Sequence, residues 1–159
     1  MKIQTTKIID CLVYEPNLFE DKRGIFSELY KTTTHNVNIK QINYSYSHAG
    51  VVRGLHRTPY AKLVTCVKGK VFDVCLDLRE SSPTYKQWFG IDLSETNLNQ
   101  LYIPPYCAHG FYAYEPSILI YGQTDIYNKE QDETYCFSDF GVKWPVDGPY
   151  IISDKDSCN

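Results

Sequence analysis

Two of the four histidines sit in segments that look shaped around them: His56 in Val52-Arg53-Gly54-Leu55-His56, and His109 in Pro104-Pro105-Tyr106-Cys107-Ala108-His109-Gly110-Phe111. Imidazoles from separate strands of a barrel can converge on a mononuclear metal. The ligand count works against that. Such a site ordinarily adds a second His two residues after the first and a Glu shortly beyond, whereas Thr58 holds the first place and Lys62 follows where a carboxylate is wanted. Two histidines and a cation make a poor metal cage. A lysine beside a histidine suits a site that handles developing negative charge. Protonated Lys62 can stabilise an enolate oxygen while neutral His56 takes a proton from carbon. The pattern fits proton abstraction beside a ketone. On the residues alone, an ordinary core or surface histidine stays open for His56, and a core tyrosine for Tyr121.

Positioning such groups falls to strands, because no long stretch keeps a helical period. Leu63 to Val67, Lys68-Gly69 and Lys70 to Leu78 read as two strands joined in a tight hairpin. In the second, Phe72, Val74, Leu76 and Leu78 share one face, expected to be core, and Val71, Asp73, Cys75 and Asp77 the other, partly polar face. Short strands continue at 88–93, 100–103, 110–114 and 118–125, separated by turn signals such as Ser81-Ser82-Pro83 and Glu115-Pro116-Ser117. Strands of this length and spacing predict an all-β sandwich or barrel, most naturally a jelly roll with little helix. Residues 1–159 are expected to form one domain.

Composition narrows the function classes. The net charge of -3 and the scattered Lys and Arg argue against a nucleic-acid partner. No run approaches the roughly 20 apolar residues of a membrane span, and the N-terminal stretch lacks a signal peptide's apolar segment, so a cytoplasmic location is expected. Fourteen Tyr exceed what a plain core requires and point to a ligand-facing interior. The six cysteines show no CxxC pair and no regular spacing, so buried free thiols are the expected state. The polar end, Ser153-Asp154-Lys155-Asp156, reads by composition as frayed surface.

A run of segments in fixed order says more: Gln41-Ile42-Asn43-Tyr44-Ser45, Val52-Arg53-Gly54-Leu55-His56, Lys62-Leu63-Val64, Gly69-Lys70-Val71-Phe72-Asp73-Val74, Asp77-Leu78-Arg79, Ser82-Pro83-Thr84-Tyr85, Gln87-Trp88, Leu101-Tyr102-Ile103-Pro104-Pro105 and Ala108-His109-Gly110-Phe111. Together they resemble the dTDP-4-dehydrorhamnose 3,5-epimerase family, from Phe19 to Asp156. The resemblance implies a cupin-like jelly-roll homodimer that inverts C3, C5 or both of a nucleotide-linked 4-keto sugar, with no metal and no cofactor. It assigns His56 as base, Lys62 as the cation on the enolate oxygen, Tyr121 as the acid on the far side, and Asp156 as the carboxylate orienting the base, which reverses the frayed-tail reading. Strand parity is compatible, since Tyr121 shares a face with Leu119 and Gln123. Phe19, Arg23 and Glu28 resemble the nucleotide grip, with the arginine given across the dimer, and Gln41, Asn43, Arg53 and His109 resemble further substrate contacts.

The sequence departs from the family pattern in a short stretch between His56 and Lys62, in Gly122 where a Lys commonly follows the acid Tyr, and in stopping soon after Asp156. These departures are expected to touch the substrate rim and leave open a GDP- or UDP-linked sugar, heptose included, or inversion at one carbon. Outside the family the alternatives are a metal-dependent cupin enzyme and a non-catalytic sugar-binding module.

Overall fold

Alternating β-branched and aromatic residues give short extended segments, and in the computed structural model, which describes residues 1–158, they assemble into two packed antiparallel sheets. In chain order the strands are β1 (Lys2–Thr5), β2 (Leu12–Glu15), β3 (Phe19–Asp21), β4 (Gly24–Phe26), β5 (Gln41–Ser47), β6 (Val52–Arg57), β7 (Lys62–Lys68), β8 (Lys70–Asp77), β9 (Trp88–Ser94), β10 (Gln100–Ile103), β11 (Cys107–Ala113), β12 (Ser117–Gln123) and β13 (Glu133–Thr134). One helical turn, α1 (Thr32–His35), and two 3-10 turns, Lys129–Gln131 and Asp154–Asp156, complete the described elements. The first sheet runs β1-β2-β10-β7-β12-β5, the second β13-β6-β11-β8-β9, and β3-β4 form a separate hairpin. Consecutive strands repeatedly change sheet, as β5 to β6, β7 to β8, β10 to β11 and β11 to β12 do. This is the expected jelly roll.

The β7–β8 hairpin is the main correction to local reading. β7 pairs with β10 and β12, β8 with β9 and β11, so the chain crosses between sheets at Gly69 instead of folding back on itself. Gly69 has φ +71°, and a Cβ there would lie 2.5 Å from the Pro116 carbonyl oxygen. A tight Gly turn looks the same in sequence whether it closes a hairpin or a sheet corner, because pairing is decided by distant strands.

Between the sheets lies a core of Val64, Cys66, Val71, Cys75, Leu93, Leu101, Ile103 and Leu119. The opposite face of β8 is buried too: Val74, Leu76 and Leu78 join Leu55, Ala108 and Val142, with Tyr135, Phe140 and Trp144 packed on them. The partly polar face of β8 is thus the interior one, and the C-terminal segment covers the other. Trp144 Nε1 donates to the Phe137 carbonyl and Trp88 Nε1 to that of Gly141, each at 3.1 Å, fixing that cover. Buried Asp77 accepts from Arg79, Ser82 and Thr84 at 2.6–3.0 Å, so the Asp-Leu-Arg and Ser-Pro-Thr segments close a loop and lie outside the cavity described below.

Cys11, Cys66, Cys75 and Cys107 are buried free thiols, as expected, but Cys136 and Cys158 form a disulfide. Their pairing follows from the tail returning over the second sheet, a proximity that cysteine spacing does not encode. Among the described residues no helix is long and apolar enough to cross a membrane.

Candidate active site

Gly54 and Gly110 bring β6 and β11 unusually close. A Cβ on Gly54, at φ +108°, would meet the His109 carbonyl oxygen at 2.5 Å, and one on Gly110 the Arg53 carbonyl oxygen at 2.8 Å. His109 pairs with His56 but Phe111 pairs with Arg53, so β6 carries one extra residue between the two pairs. That bulge breaks strict alternation and lets both Arg53 and His56 enter one cavity of about 330 Å³. On the other side of β6, Thr134 of β13 stands opposite His56.

The facing sheet supplies Lys62, Tyr121 and Gln123 to the same cavity. Lys62 opens β7 opposite Gln123 of β12, and its Nζ donates to the His56 carbonyl at 3.4 Å, reaching from one sheet to the other. Burial brings its ammonium down to about 8, against the pull of the Asp132 and Asp73 charges. Burial likewise pushes the Tyr121 phenol up, with Arg53 opposing. Leu119 and Gln123 are buried on the Tyr121 face, in keeping with the parity read from sequence.

Asp156 is buried in the 3-10 turn at the chain's end, one oxygen 3.0 Å from His56 Nε2 and the other accepting from the Gly54 N–H at 3.2 Å. Asp132, just before β13, places an oxygen 3.3 Å from His56 Nδ1. Its second oxygen accepts from Lys155 at 2.7 Å and from the Tyr127 hydroxyl at 3.1 Å. The two oxygens that face the ring have no hydrogen-bond partner among the described residues, and the contacts are ion pairs when the ring is protonated. Burial disfavours the imidazolium, but the two carboxylates outweigh it and raise the His56 pKa. Both carboxyls are held below the usual range despite their burial, Asp132 far below, by His56 and, for Asp132, Lys155. Among the described residues no group of three or more His, Cys, Asp and Glu side chains is arranged to hold a metal ion.

Of the sequence-predicted residues, His56, Lys62, Tyr121, Asp156, Arg53 and His109 line this cavity together. Arg53 is held by the Ser47 hydroxyl and the Tyr46 carbonyl, each at 3.0 Å, and His109 Nε2 lies 2.7 Å from fully buried Asp73. Gln41 and Asn43 stand behind the wall: Asn43 donates to Gln123, and Gln41 donates to Asn43 at 2.7 Å and accepts from the Tyr127 N–H at 2.9 Å. Phe19 and Glu28 line a different hollow with Met1 and Asn17, while Arg23 pairs with Asp21 on an exposed hairpin. One chain does not bring those three to the cavity. Sequence reasoning missed Asp132, Tyr127, Lys155, Asp73 and Tyr60. Asp132, Tyr127 and Lys155 stand among other charged and polar surface-type residues, and nothing local marks them. Tyr60 had a signal, since it lies in the short loop between His56 and Lys62.

The sequence as a whole matches a model of the dTDP-4-dehydrorhamnose 3,5-epimerases over residues 5–159. The chain belongs to the dTDP-4-dehydrorhamnose 3,5-epimerase family. It is 41% identical to the enzyme of that name from Shigella flexneri over 98% of this chain and 93% of the relative. Two solved structures superpose closely. That of the dTDP-4-dehydrorhamnose 3,5-epimerase of Bacillus anthracis, with TDP and PPi bound, gives a TM-score of 0.93 at 38% identity, covering 98% of this chain and 95% of that one. That of the dTDP-6-deoxy-D-glucose-3,5-epimerase of Legionella pneumophila, in complex with dTDP-4-keto-L-rhamnose, gives 0.94 at 35%, covering 98% and 89%. The present epimerase is thus an isomerase on a cupin-like jelly roll. Its two internal departures from the family pattern fall in different places. A Cβ on Gly122 would meet Ile39 at 2.7 Å, in an apolar groove on the outer face of β12, so that position does not touch the cavity as expected. The short loop does, through Thr58 and Tyr60.

Proposed function

We propose that this epimerase converts dTDP-4-dehydro-6-deoxyglucose to dTDP-4-dehydrorhamnose by inverting C3 and C5. At each carbon His56 removes the proton beside the C4 ketone, Lys62 stabilises the enolate oxygen, and Tyr121 returns a proton from the opposite face. Asp156 orients the imidazole and stabilises its cation. Arg53 and His109 hold the sugar nucleotide, Gln41 and Asn43 support the wall it meets through Gln123 and Tyr127, and no step calls for a metal or cofactor. The observation that carries this reading is the entry of His56 and Tyr121 into one cavity from opposite sheets, with the buried Lys62 ammonium between those sheets. An acid and a base on opposite walls are what inversion requires.

The epimerase acts as a homodimer in which Phe19, Arg23 and Glu28 of one subunit complete the nucleotide site of the other. Supporting this, Ile42, Tyr44 and Tyr46 of the edge strand β5 and Phe19, Ile25 and Phe26 of the β3–β4 hairpin all expose large apolar surface. An arginine fork suits a diphosphate, and Arg23, paired with Asp21 but with its side chain 84% exposed, can exchange that partner for one.

The deciding experiment is turnover of dTDP-4-dehydro-6-deoxyglucose in deuterated water with deuterium counted at C3 and C5. Label at both carbons supports the reading, and label at one replaces it with a mono-epimerase. No label from the dTDP-, GDP- or UDP-linked 4-keto sugar overturns it. Tyr121→Phe is expected to keep exchange at the abstracted position while losing inversion.

A further inference from the structure

Both ring nitrogens of His56 face carboxylate oxygens, Nε2 that of Asp156 at 3.0 Å and Nδ1 that of Asp132 at 3.3 Å. A carboxylate only accepts, so both carboxylate contacts are satisfied only by the doubly protonated ring; the Thr134 hydroxyl, 3.4 Å from Nδ1, can accept from that ring or donate to Nδ1 once its proton is gone. That form has no lone pair and cannot be a base. One carboxylate must leave before His56 can take a proton from carbon.

The two are not held alike. Asp156 is fixed from three sides: its other oxygen is on the Gly54 N–H, its own N–H closes the turn onto the Ser153 carbonyl at 3.0 Å, and Cys158 two residues on is disulfide-bonded. Asp132 follows an exposed 3-10 turn, Lys129–Gln131, and its other oxygen is held by Lys155 and Tyr127, both substantially exposed. With Lys155 as an alternative partner at 2.7 Å, Asp132 can quit Nδ1 without losing a counter-ion.

We propose that Asp132 is a displaceable positioning residue, which covers Nδ1 and keeps His56 charged in the ligand-free enzyme and is moved aside when the sugar nucleotide enters. The Nδ1 proton then passes to solvent, Asp156 stays on Nε2, and the exposed Nδ1 lone pair becomes the base. Substrate binding itself arms the site, and an empty cavity holds no active base. This rests on His56 being the base.

Other charged and titratable groups close on the ring from every side: His109 across β11 with Asp73 behind it, Lys62 on β7 at the His56 carbonyl, Tyr121 on β12, Tyr127 before the 3-10 turn, and Lys155 beside Asp132. Asp132→Asn leaves all of these in place. It removes one negative charge near both His56 and Lys62, so the acid and alkaline limbs of kcat/KM both move down in pH, and the imidazole NMR signal of His56 separates the first from the second.

The test binds dTDP-glucose, which has no ketone to react, to the intact enzyme by calorimetry in buffers of different ionisation enthalpy. At a pH between the free and bound values of His56, the wild type is expected to release close to one proton per site. Its acid limb should lie higher in kcat/KM, which reports the free enzyme, than in kcat, which reports the complex. In Asp132→Asn the release should vanish and the kcat/KM limb should fall by about one unit to meet that of kcat. Binding without proton release in the wild type overturns the proposal even if the variant does not fold. So does a folded variant whose acid limb and His56 titration are unmoved. If the enzyme exchanges no deuterium with any 4-keto sugar, the functional reading fails instead.

Discussion

Lys62 shows how burial displaces the titration of a single residue. Its side chain reaches from β7 to the His56 carbonyl, and burial brings the ammonium down to about 8. In the proposed mechanism the charged form stabilises an enolate, and its fraction falls as pH rises through that value, so kcat/KM is expected to decline on the alkaline side with a midpoint near it. Lys62→Arg, which does not titrate in this range, should remove that limb from the pH profile; a limb that persists belongs to another group. Tyr60 carries a second prediction. It is 5% exposed, lines the cavity, and its hydroxyl has no hydrogen-bond partner among the described residues. A buried unpartnered hydroxyl is costly to the free protein and available to a ligand. Tyr60→Phe should therefore raise the melting temperature while raising KM roughly two- to tenfold, the equivalent of one hydrogen bond, with kcat little changed. An unchanged KM would remove Tyr60 from substrate recognition.

At the scale of elements, the C-terminal segment is held at both ends. Ile151 bridges to Val51, and the disulfide anchors Cys158 to Cys136, with the Asp156 turn between. A cross-link over this separation contributes about 3 kcal/mol in the chain-entropy model. The double variant Cys136→Ser, Cys158→Ser is expected to lose up to that much in urea unfolding. It should also lose roughly tenfold or more in kcat, because the carboxylate on His56 is no longer held in place. Full kcat in the reduced or substituted protein would show that Ile151 and the Gly54 N–H suffice. Alternation of side chains located most strands, and β10 falls at Gln100–Ile103 as read. Alternation could not tell that β7 and β8 lie in different sheets, nor that both faces of β8 are covered, because partners and covering layers come from residues far along the chain.

For the whole molecule, the outer face of β5 is the informative surface. Ile42 and Tyr44 are 70% and 67% exposed on an edge strand, beside the apolar groove that Gly122 opens for Ile39. Edge strands with this character are usually covered. Sedimentation is expected to give a dimer for the wild type and a monomer for Ile42→Lys with Tyr44→Lys. Because Arg23 is then withdrawn from the neighbouring site, the monomer should bind dTDP at least tenfold more weakly, and a wild-type monomer of full activity would sink the shared-site reading.

What the sequence by itself determined is the family and the all-β class, since ordered motifs and side-chain alternation are local properties of the chain. His56 and Lys62 were legible as candidate site residues from type and spacing, Tyr121 and Asp156 only through resemblance, because a strand tyrosine looks like core and nothing in a short polar tail announces burial. Tertiary structure alone decided what closes on them. The bulge at Gly54 turns Arg53 and His56 into one cavity, the returning tail pairs Cys136 with Cys158, and the loop before β13 sets Asp132 on the second nitrogen of His56. Each joins residues from distant parts of the chain, and such proximity is a property of packing that no local pattern carries.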